Sequence, residues 1–510
     1  MTPRLTAGLR VALVLVVALV LGITAVIVLA QRTVVAPIGG PRPAASVEVA
    51  AAPCTRTIQS QVDAATAGAT VKVPACLARE TVTIDKPLTL EGTAGAEIRG
   101  SDVWTSWTAQ GGTWVSGPTV PPFDPNGVCR SGTMCQHPEQ LFRDGVPLSH
   151  VEGSPSATEF ALDANRHVVL GADPAGHLIE VSVRDAWVII AAPDVTVAGF
   201  SMRHAANAAQ TGAIRNVDDA SHDTIRDNLL SYAHGADAAL DRGIDNQIVH
   251  NDIGFGGQLG IHLGGDGTSA TGRGNIVRDN TIHDNNVAGF EPEWEAGGLK
   301  ATVQSGLVLD GNTVDHNAGP GLWCDIYCSD VTITGNRLSD NTHAGIFYEV
   351  SRGGHISDNV AWSNGYGKNV WGWGAGILVS TSQDTEVSGN IVAWNARTGI
   401  SVISQHRTDW PDVSATGDYV HDNTVVAGSG SGTLFWGEDW SGPLYLTSSG
   451  NRGADDRYWV PGGGSPYHWH VDMDSLAAFN ATPGEENGTL LTDAQKDAAL
   501  TAVGVPPSAP

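Results

Sequence analysis

Two short phrases of the chain, GLWCD at residues 321–325 and GIFYE at residues 345–349, each end in a carboxylate. Asp325 and Glu349 therefore occupy equivalent positions. Hydrolysis of a glycosidic bond uses such a pair of carboxyl groups, about 5 Å apart for retention of configuration or about 6.5 to 9.5 Å apart for inversion. Glu295 with either acid is a candidate for the longer separation. These three acids are candidate catalytic residues.

A second chemistry is open at the same residues. Removal of the α-proton of a uronate, by a lyase or an epimerase, needs a base and a cation that neutralises the substrate carboxylate. Lys300 and Arg352 are candidates for these roles, although Lys300 is equally compatible with a salt bridge to Glu295 or Asp325. Ca²⁺, which prefers carboxylate oxygens, is the one cofactor these acids suit. No other cofactor or metal site is predicted.

Aromatic residues accompany the acids. A sugar packs its C–H face on an aromatic ring while its hydroxyls bond to charged groups. The same aromatic residues are compatible with a loop that folds on itself as a small core. The candidate substrate-binding residues are Trp294, Trp323, Phe347, Tyr366, Trp371, Trp373, His262 and Arg352.

These residues must be positioned by a repeat whose closest copies lie 23 or 24 residues apart. Each copy has a strand, an Asn turn, a second strand, another Asn and a Gly-opened third strand, as in VTITGNRLSDNTHAGIFYEV at residues 331–350. One copy cannot bury its apolar positions alone, so the coils must stack. The pattern predicts an all-β, right-handed parallel β-helix, a single-stranded solenoid of about a dozen coils. The asparagines that head the copies are Asn228, Asn251, Asn280, Asn312, Asn336, Asn359, Asn390 and Asn423.

Alignment of the Gly-opened strands predicts which side chains share a face. With a period of two, Leu299, Leu322, Ile346 and Ile377 point inward. The outward residues are then Lys300, Trp323 and Phe347, followed two residues later by Thr302, Asp325 and Glu349. Asp325 and Glu349 are therefore expected on adjacent coils, about 4.8 Å apart along the solenoid.

Two coils are longer than their neighbours, and both carry the excess at the same turn. The insertions are NVAGFEPEWEAGG at residues 286–298 and GYGKNVWGWGAG at residues 365–376. Because two short coils separate them, we expect two walls on one face with the acids between them. His406, Arg407 and Trp410, on a later loop, are expected to extend the same groove.

The central coils resemble a known group of proteins. Residues 317–359 are similar to the central coils of exported bacterial right-handed β-helix proteins usually grouped with polysaccharide-active enzymes, and residues 54–204 resemble their early region. GFEPEW at residues 289–294 resembles the GFDPH element of mannuronan C5-epimerases, with Trp294 in place of the histidine. The resemblance implies a carbohydrate-active enzyme, a glycoside hydrolase first and a lyase or epimerase second. A third hypothesis is a non-catalytic surface protein that binds glycan through the same groove.

Composition and charge limit the classes of partner that the protein is expected to bind. A net charge of −26 argues against nucleic acid or an anionic membrane surface as a partner, because such binding requires a basic patch. The expected partner is a polysaccharide or another glycan, and the protein is expected to be a monomer. The six cysteines are even in number and locally paired, which favours disulfides over a metal site. The near pairs are Cys54–Cys76, Cys129–Cys135 and Cys324–Cys328, and the sequence leaves other connectivities open.

The N-terminus predicts contact with a membrane. Residues 11–30 carry no charge, follow Arg4 and Arg10, and are long enough to cross a bilayer as one helix. We expect a single-pass protein of the cell membrane with an extracytoplasmic C-terminal domain, or a secreted protein if a signal peptidase cuts near Val28 or Ala30.

The predicted organisation has seven parts. They are a cytoplasmic stub (1–10), a transmembrane signal-anchor (11–30), a Pro/Ala-rich linker (31–53), a helix cap with the first coils (54–100), an inserted β module (101–176), the β-helix repeats (177–440) and a C-terminal cap and tail (441–510).

Overall fold

The computed structural model describes residues 52–266, 271–368, 370, 372–409, 412–437 and 443–509. The predicted stub, the predicted transmembrane segment and nearly all of the predicted linker lie outside these ranges. Within them, no helix is both long enough and apolar enough to cross a membrane.

The solenoid is built from three parallel β-sheets, to which successive coils contribute one strand at a time. Sheet A comprises Leu77–Ala78, Glu97–Arg99, Ser201–Ala205, Leu229–Ala233, Asp252–Gly254, Thr281–His283, Thr313–Asp315, Arg337–Ser339, Val360–Trp362, Ile391–Ala393, Thr424–Val426, Arg457–Trp459 and Thr489–Leu490. Sheet B comprises Thr70–Val73, Leu88–Gly92, Val195–Ala198, Thr224–Arg226, Gln247–Val249, Ile276–Arg278, Val308–Asp310, Thr332–Thr334, His355–Ser357, Glu386–Ser388, Tyr419–His421 and Arg452–Ala454. Sheet C comprises Val82–Ile84, Val188–Ile190, Gly212–Asn216, Ala236–Ala239, Leu259–Leu263, Gly297–Thr302, Leu322–Asp325, Ile346–Glu349, Ala375–Ser380, Thr398–Ile403, Gly432–Gly437, Tyr467–Trp469 and the antiparallel Val471–Met473.

The interior of the solenoid is a single apolar core, and the asparagines form ladders at its corners. Along the first ladder the side-chain oxygen of each Asn accepts the backbone N–H of its equivalent one coil earlier; the distance from Asn336 N to Asn359 Oδ1 is 2.9 Å. The second ladder, which includes Asn317 and Asn341, follows the same rule. These bonds satisfy turn amides that would otherwise be buried without partners. The predicted structural role of the asparagines is confirmed.

A short helix covers the first coil. α1 (Ile58–Ala64) begins at Thr57, whose side chain accepts the backbone N–H of Ser60, and it buries Ile58 and Val62 against the apolar core. The disulfide Cys54–Cys76 ties the chain before the helix to the first strands. The helix shields a sheet end that would otherwise be open to pairing with another chain.

The inserted module is an eight-stranded, mostly antiparallel sheet. Its strands are Ser101–Val103, Trp107–Gln110, Thr113–Thr119, Leu141–Arg143, Val146–His150, Glu159–Leu162, His167–Leu170 and Ile179–Ser182, with a 3₁₀ turn at Met134–Gln136. The module runs past the predicted boundary at residue 176, because Ile179–Ser182 pairs with both Ser101–Val103 and Leu141–Arg143. The disulfide Cys129–Cys135 lies in the long connection between Thr119 and Leu141.

The expectation that the repeat ends near residue 440 is wrong. Arg452–Ala454, Arg457–Trp459 and Tyr467–Trp469 extend sheets B, A and C by a further coil. Asp456 takes the place of the ladder Asn, and its carboxylate accepts the Asn423 N–H at 2.7 Å. The change from Asn to Asp hid this coil from the sequence pattern.

The C-terminal helix does not cap the far end. α4 (Asp493–Ala502) lies along the outer face of sheet A, where Leu500 packs with Val360 and Trp394. The Trp394 indole N–H donates to the carbonyl of Pro506 at 2.9 Å. At the end of the core itself, Phe479 of α3 (Leu476–Phe479) packs against Tyr458 and Tyr467.

The predicted Cys324–Cys328 disulfide is also wrong. Both residues are fully buried free thiols that hydrogen-bond to each other. The Cys328 thiol lies 3.5 Å from the carbonyl oxygens of Ala301 and Asp325, to which it donates. Backbone acceptors and core packing thus satisfy a pair that the sequence spacing alone assigned to a disulfide.

Candidate active site

The outer face of sheet C carries the candidate acids. The strand register places His262, Lys300, Trp323, Phe347 and Leu378 in one outward row. A second outward row, two residues further along each strand, contains Asp325 beside Thr302 and Glu349 beside Ser380. The alternate residues, such as Leu322 and Ile346, point into the core. The predicted inward and outward sets are those of the structure.

The two long loops lie on this same face. The first contains a four-residue helix, α2 (Pro292–Glu295), and the second contains Trp373. Glu293 of the first loop contacts Lys368 of the second. Trp373 stands edge-on over Phe347, with ring centroids 6.2 Å apart. The unequal coil lengths therefore correspond to two walls that meet.

A pocket of about 310 Å³ lies between the walls. Trp323 and Phe347 form its floor as a stacked pair with ring centroids 5.2 Å apart. Its size falls at the lower end of the range for small-molecule sites. The lining residues are Pro292, Glu293, Pro320, Trp323, His343, Ala344, Phe347, Glu349, Lys368, Trp373, Leu378, Gln405 and Arg407.

Glu349 lines this pocket opposite Glu293 of the first wall. Its side chain is almost fully buried and accepts a hydrogen bond from the Arg407 guanidinium. Burial and the neighbouring negative charge of Asp325 raise the pKa of Glu349 to about 7, against the opposing effects of Arg407 and Lys300. Glu349 is thus able to hold a proton near neutral pH and to release it.

Asp325 has a different environment one strand away. The Lys300 ammonium lies 2.9 Å from its carboxylate, and the two side chains are only 5% and 10% exposed. Lys300 also lies 3.6 Å from the centre of the Trp323 ring and donates to the Trp294 carbonyl. The two neighbouring acids therefore have different partners: Asp325 pairs with Lys300, and Glu349 pairs with Arg407.

A buried histidine extends this arrangement. His262 Nδ1 is 2.9 Å from Asp241, and Nε2 is 3.1 Å from Glu295. Burial alone would lower the pKa of His262, but the charges and hydrogen bonds of the two acids raise it to about 10. Burial opposes the ionised form of Glu295, but the hydrogen bond from His262 and the charge of Lys300 lower its pKa.

Together these groups form a chain of alternating charge across the face. From one end it runs Asp241, His262, Glu295, Lys300, Asp325, Glu349 and Arg407. Four acids face three cations, so the chain is neutral when one acid is protonated. The raised pKa of Glu349 makes it the residue that carries that proton.

Sequence reasoning missed Asp241. It lies two residues beyond Ala239, which pairs with His262, so it stands in the same outward row as Asp325 and Glu349. Extending the strand alignment two coils toward the N-terminus reveals it. Gln210, which donates to the Glu295 carboxylate, gave no such signal because it comes from a loop.

Several predicted binding residues lie elsewhere. Trp294 packs on Phe290 in a small core beneath the first wall. Tyr366 turns away and donates to the Trp394 carbonyl, while Arg352 pairs with Asp412. Loop side chains such as these follow local packing, which the coil alignment does not determine. Trp371 and Trp410 lie outside the described residues.

Within the described residues, no group of three or more His, Cys, Asp or Glu side chains is arranged to hold a metal ion. At the acids themselves, the ammonium of Lys300 supplies the positive charge beside Asp325.

Comparison with known proteins shows the fold. A family model described as a right handed beta helix region matches residues 212–380, and no curated protein matches the chain. The solved complex of XylC with xylose is similar over 85% of this chain and 82% of its own, with a TM-score of 0.59 and 14% identity. The chain therefore contains a right-handed parallel β-helix.

Two further structures share only a more distant likeness. The match with the A-module of the Azotobacter vinelandii mannuronan C-5 epimerase AlgE4 covers 87% of this chain and 98% of that module, with a TM-score of 0.44 and 10% identity. The match with the DFA-IIIase from Arthrobacter chlorophenolicus A6 covers 84% of this chain and 92% of that protein, with a TM-score of 0.42 and 12% identity.

Proposed function

We propose that the protein is a glycoside hydrolase that acts on a carbohydrate bound in the pocket on sheet C. One observation carries the proposal: two acids on adjacent strands lie under the same walls in different surroundings. Burial and the charge of Asp325 raise the pKa of Glu349 to about 7, and Asp325 is paired with Lys300 at 2.9 Å. A carboxylic acid beside a carboxylate is the arrangement that glycoside hydrolysis requires.

The pocket lining and the strand register support the following roles in this proposal. Glu349, which lines the pocket, donates its proton to the glycosidic oxygen as the bond to the leaving group breaks. Asp325 attacks the anomeric carbon and forms a glycosyl-enzyme ester. Glu349, now ionised, takes a proton from a water molecule. The water oxygen attacks the anomeric carbon, which releases the sugar and regenerates the Asp325 carboxylate. Adjacent strands lie about 4.8 Å apart, close to the spacing of retaining enzymes, so the product keeps its anomeric configuration.

The walls provide a surface suited to a sugar. Trp373 lines the pocket at right angles to the buried floor of Trp323 and Phe347. Charged groups at the rim, Lys368 and Arg407, supply hydrogen-bond donors for hydroxyls. The similar fold of XylC was solved with xylose, which supports a sugar as the ligand.

The direct test measures new reducing ends and new ultraviolet-absorbing ends from a panel of plant, algal and bacterial-wall polysaccharides. We expect reducing ends only, and a loss of about 10³-fold in rate for Glu349→Gln and for Asp325→Asn. The matched controls are Glu386→Gln and Asp310→Asn on sheet B, which should keep full activity.

The other outcomes separate the competing functions. If ultraviolet-absorbing ends form and their formation depends on Lys300, the protein is a lyase and not a hydrolase. The buried Lys300, paired with Asp325, is poorly placed as a base for that reaction. Glycan binding without any cleavage, unchanged in Asp325→Asn, would instead make the protein a non-catalytic binding protein.

The proposal places the reaction outside the cytoplasm, with the protein held at the cell membrane by residues 11–30 or secreted after cleavage. Two disulfides in the described part of the chain support an oxidising compartment. Fractionation of cells followed by N-terminal sequencing tests this. A soluble cytoplasmic protein with an intact N-terminus would contradict it.

A further inference from the structure

The inserted module sends one arm, residues 121–137, across to the candidate site. The arm leaves the module after Thr113–Thr119 and is closed by the disulfide Cys129–Cys135. Its backbone pairs with the chain just before α2. The Glu291 N–H donates to the Val128 carbonyl at 2.8 Å, and the Arg130 N–H donates to the Gly289 carbonyl at 3.0 Å. The arm thus adds a short antiparallel bridge to the first wall.

A small apolar cluster anchors this contact. Phe290 is fully buried there against Cys135, Ala209 and Ala296. Gly127 of the arm lies so close that an added Cβ would be 2.5 Å from the Phe290 ring, and its φ is +111°. Both the close approach and the backbone conformation require glycine. The arm is therefore fitted to this wall.

The wall needs external support. α2 is one turn long, and an isolated helix of that length is unstable in water. Two of its residues nevertheless act at the site. Glu293 contacts Lys368 across the pocket, and Glu295 binds His262 and faces Lys300. Gln258 and Gln210 hold Glu295 at the end of the helix, so the position of its start depends on what fixes residues 289–291.

We propose that the disulfide-closed arm of the inserted module is a positioning element for the pocket on sheet C. It clamps residues 289–291 and thereby holds α2, the Glu293–Lys368 contact and the Glu295 end of the charge chain. The module is then a working part of the site as well as an attached domain. The kinetic part of this proposal rests on the proposed hydrolase, whereas the structural part does not.

Hydrogen exchange tests the clamp without any assay of activity. In full-length protein, Cys129→Ser/Cys135→Ser should speed amide exchange of residues 289–296 at least about tenfold, while residues 331–339 stay unchanged. The matched control removes the other disulfide, Cys54→Ser/Cys76→Ser, and should leave residues 289–296 as in the parent. Equal protection in parent and arm variant would overturn the proposal, whatever the enzyme's activity.

A pair of glycine variants decides the matter if loss of the disulfide unfolds the protein. Gly127→Ala forces the arm off Phe290, whereas an added Cβ at Gly132, in the same arm and also at positive φ, meets nothing within 4 Å. We expect Gly127→Ala to reproduce the faster exchange and Gly132→Ala to match the parent. Identical exchange in the two variants would contradict the clamp.

A second readout is the KM and kcat of each variant on a polysaccharide that the parent enzyme cleaves. Because the first wall closes the pocket, Gly127→Ala should raise KM about three- to tenfold and lower kcat less. Values of kcat and KM equal to those of the parent would overturn the effect of the arm on the pocket.

Discussion

Two ion pairs of equal length lie on different faces of the solenoid. On sheet B, Arg278 lies 2.9 Å from Asp310, and the side chains are 44% and 31% exposed. On sheet C, Lys300 lies at the same 2.9 Å from Asp325, but the pair is largely buried. Both pairs join outward residues of neighbouring coils.

The difference comes from the loops above each face. Sheet B is followed by tight Asn turns, so its outer side chains stay in water, where an ion pair contributes little. Sheet C is covered by the two long insertions, and Asp325 and Glu349 beneath them are largely buried. A buried charge is costly unless paired, so under the walls burial becomes the largest cause of the shifted pKa of Glu349. The coils thus present equivalent outward side chains on each sheet, and the long insertions determine which of these side chains are buried.

The largest difference in stability between the two faces is expected when the cation of each ion pair is replaced. Lys300→Met leaves Asp325 buried without its partner and should lower the free energy of unfolding by about 3 to 5 kcal/mol. Arg278→Met leaves Asp310 in water and should cost less than about 1 kcal/mol. Urea unfolding followed by circular dichroism measures both changes.

The double variants serve as controls for this prediction. Adding Asp325→Asn to Lys300→Met removes the buried charge and should recover most of the lost stability. Adding Asp310→Asn to Arg278→Met should change little. Equal costs for the two cation replacements would show that the walls do not separate the faces.

The second prediction concerns pH and two glutamates. The folded pKa of Glu349, about 7, lies above its ordinary value of 4.5. Its contribution to stability is therefore full below pH 4.5 and is lost as the pH rises through 7. Relative to Glu349→Gln, the parent should lose up to about 3 kcal/mol between these values.

Glu386 on sheet B should show the opposite sign. The hydrogen bond from His421 lowers the pKa of Glu386 despite partial burial. Its contribution is present above pH 4.5 and is lost as the pH falls through the lowered folded value. Relative to Glu386→Gln, the parent should weaken in acid. Unfolding curves across this range check both signs, and parallel pH profiles would refute the contrast between the faces.

The sequence predicts the solenoid and its faces because both follow from a period. The 23- and 24-residue spacing and the alternation within strands predicted Lys300 beside Trp323 and Asp325 near Glu349. The register pairs Lys300 with Trp323 and Trp323 with Phe347, and the charge of Asp325 acts on Glu349. A period also has limits. Where Asp456 replaced the ladder Asn, one coil was missed although its geometry is unchanged.

Loop conformation was the part that could not be predicted. Coil lengths showed that two walls exist, but not that Trp294 would pack inward on Phe290 or that Arg352 would pair with Asp412. Nor does any local pattern show that the inserted module returns to the first wall. These contacts join residues far apart in the chain, and each depends on side-chain packing rather than on spacing.

The charge chain allows a sharper test at its far end. His262→Gln removes a positive charge and should raise the pKa of Glu349 further, so the basic limb of the pH–rate profile moves up, by less than about one unit. Asp241→Asn removes a negative charge and should move the same limb down. Shifts in the same direction, or none, would show that Asp241 and His262 have a structural role only.

The smallest effect is expected at the tryptophans. Trp373→Ala removes an aromatic wall of the pocket, and stacking on one ring contributes about 1 kcal/mol, so glycan affinity should fall about five- to tenfold. Trp362→Ala, on the outer face of sheet A beneath Arg337, should leave affinity unchanged. Calorimetric titration of Asp325→Asn protein, which binds without turnover, isolates this contribution. If the two variants weaken binding equally, the sugar does not contact the wall above sheet C, and Trp373 belongs to a loop core like that of Trp294.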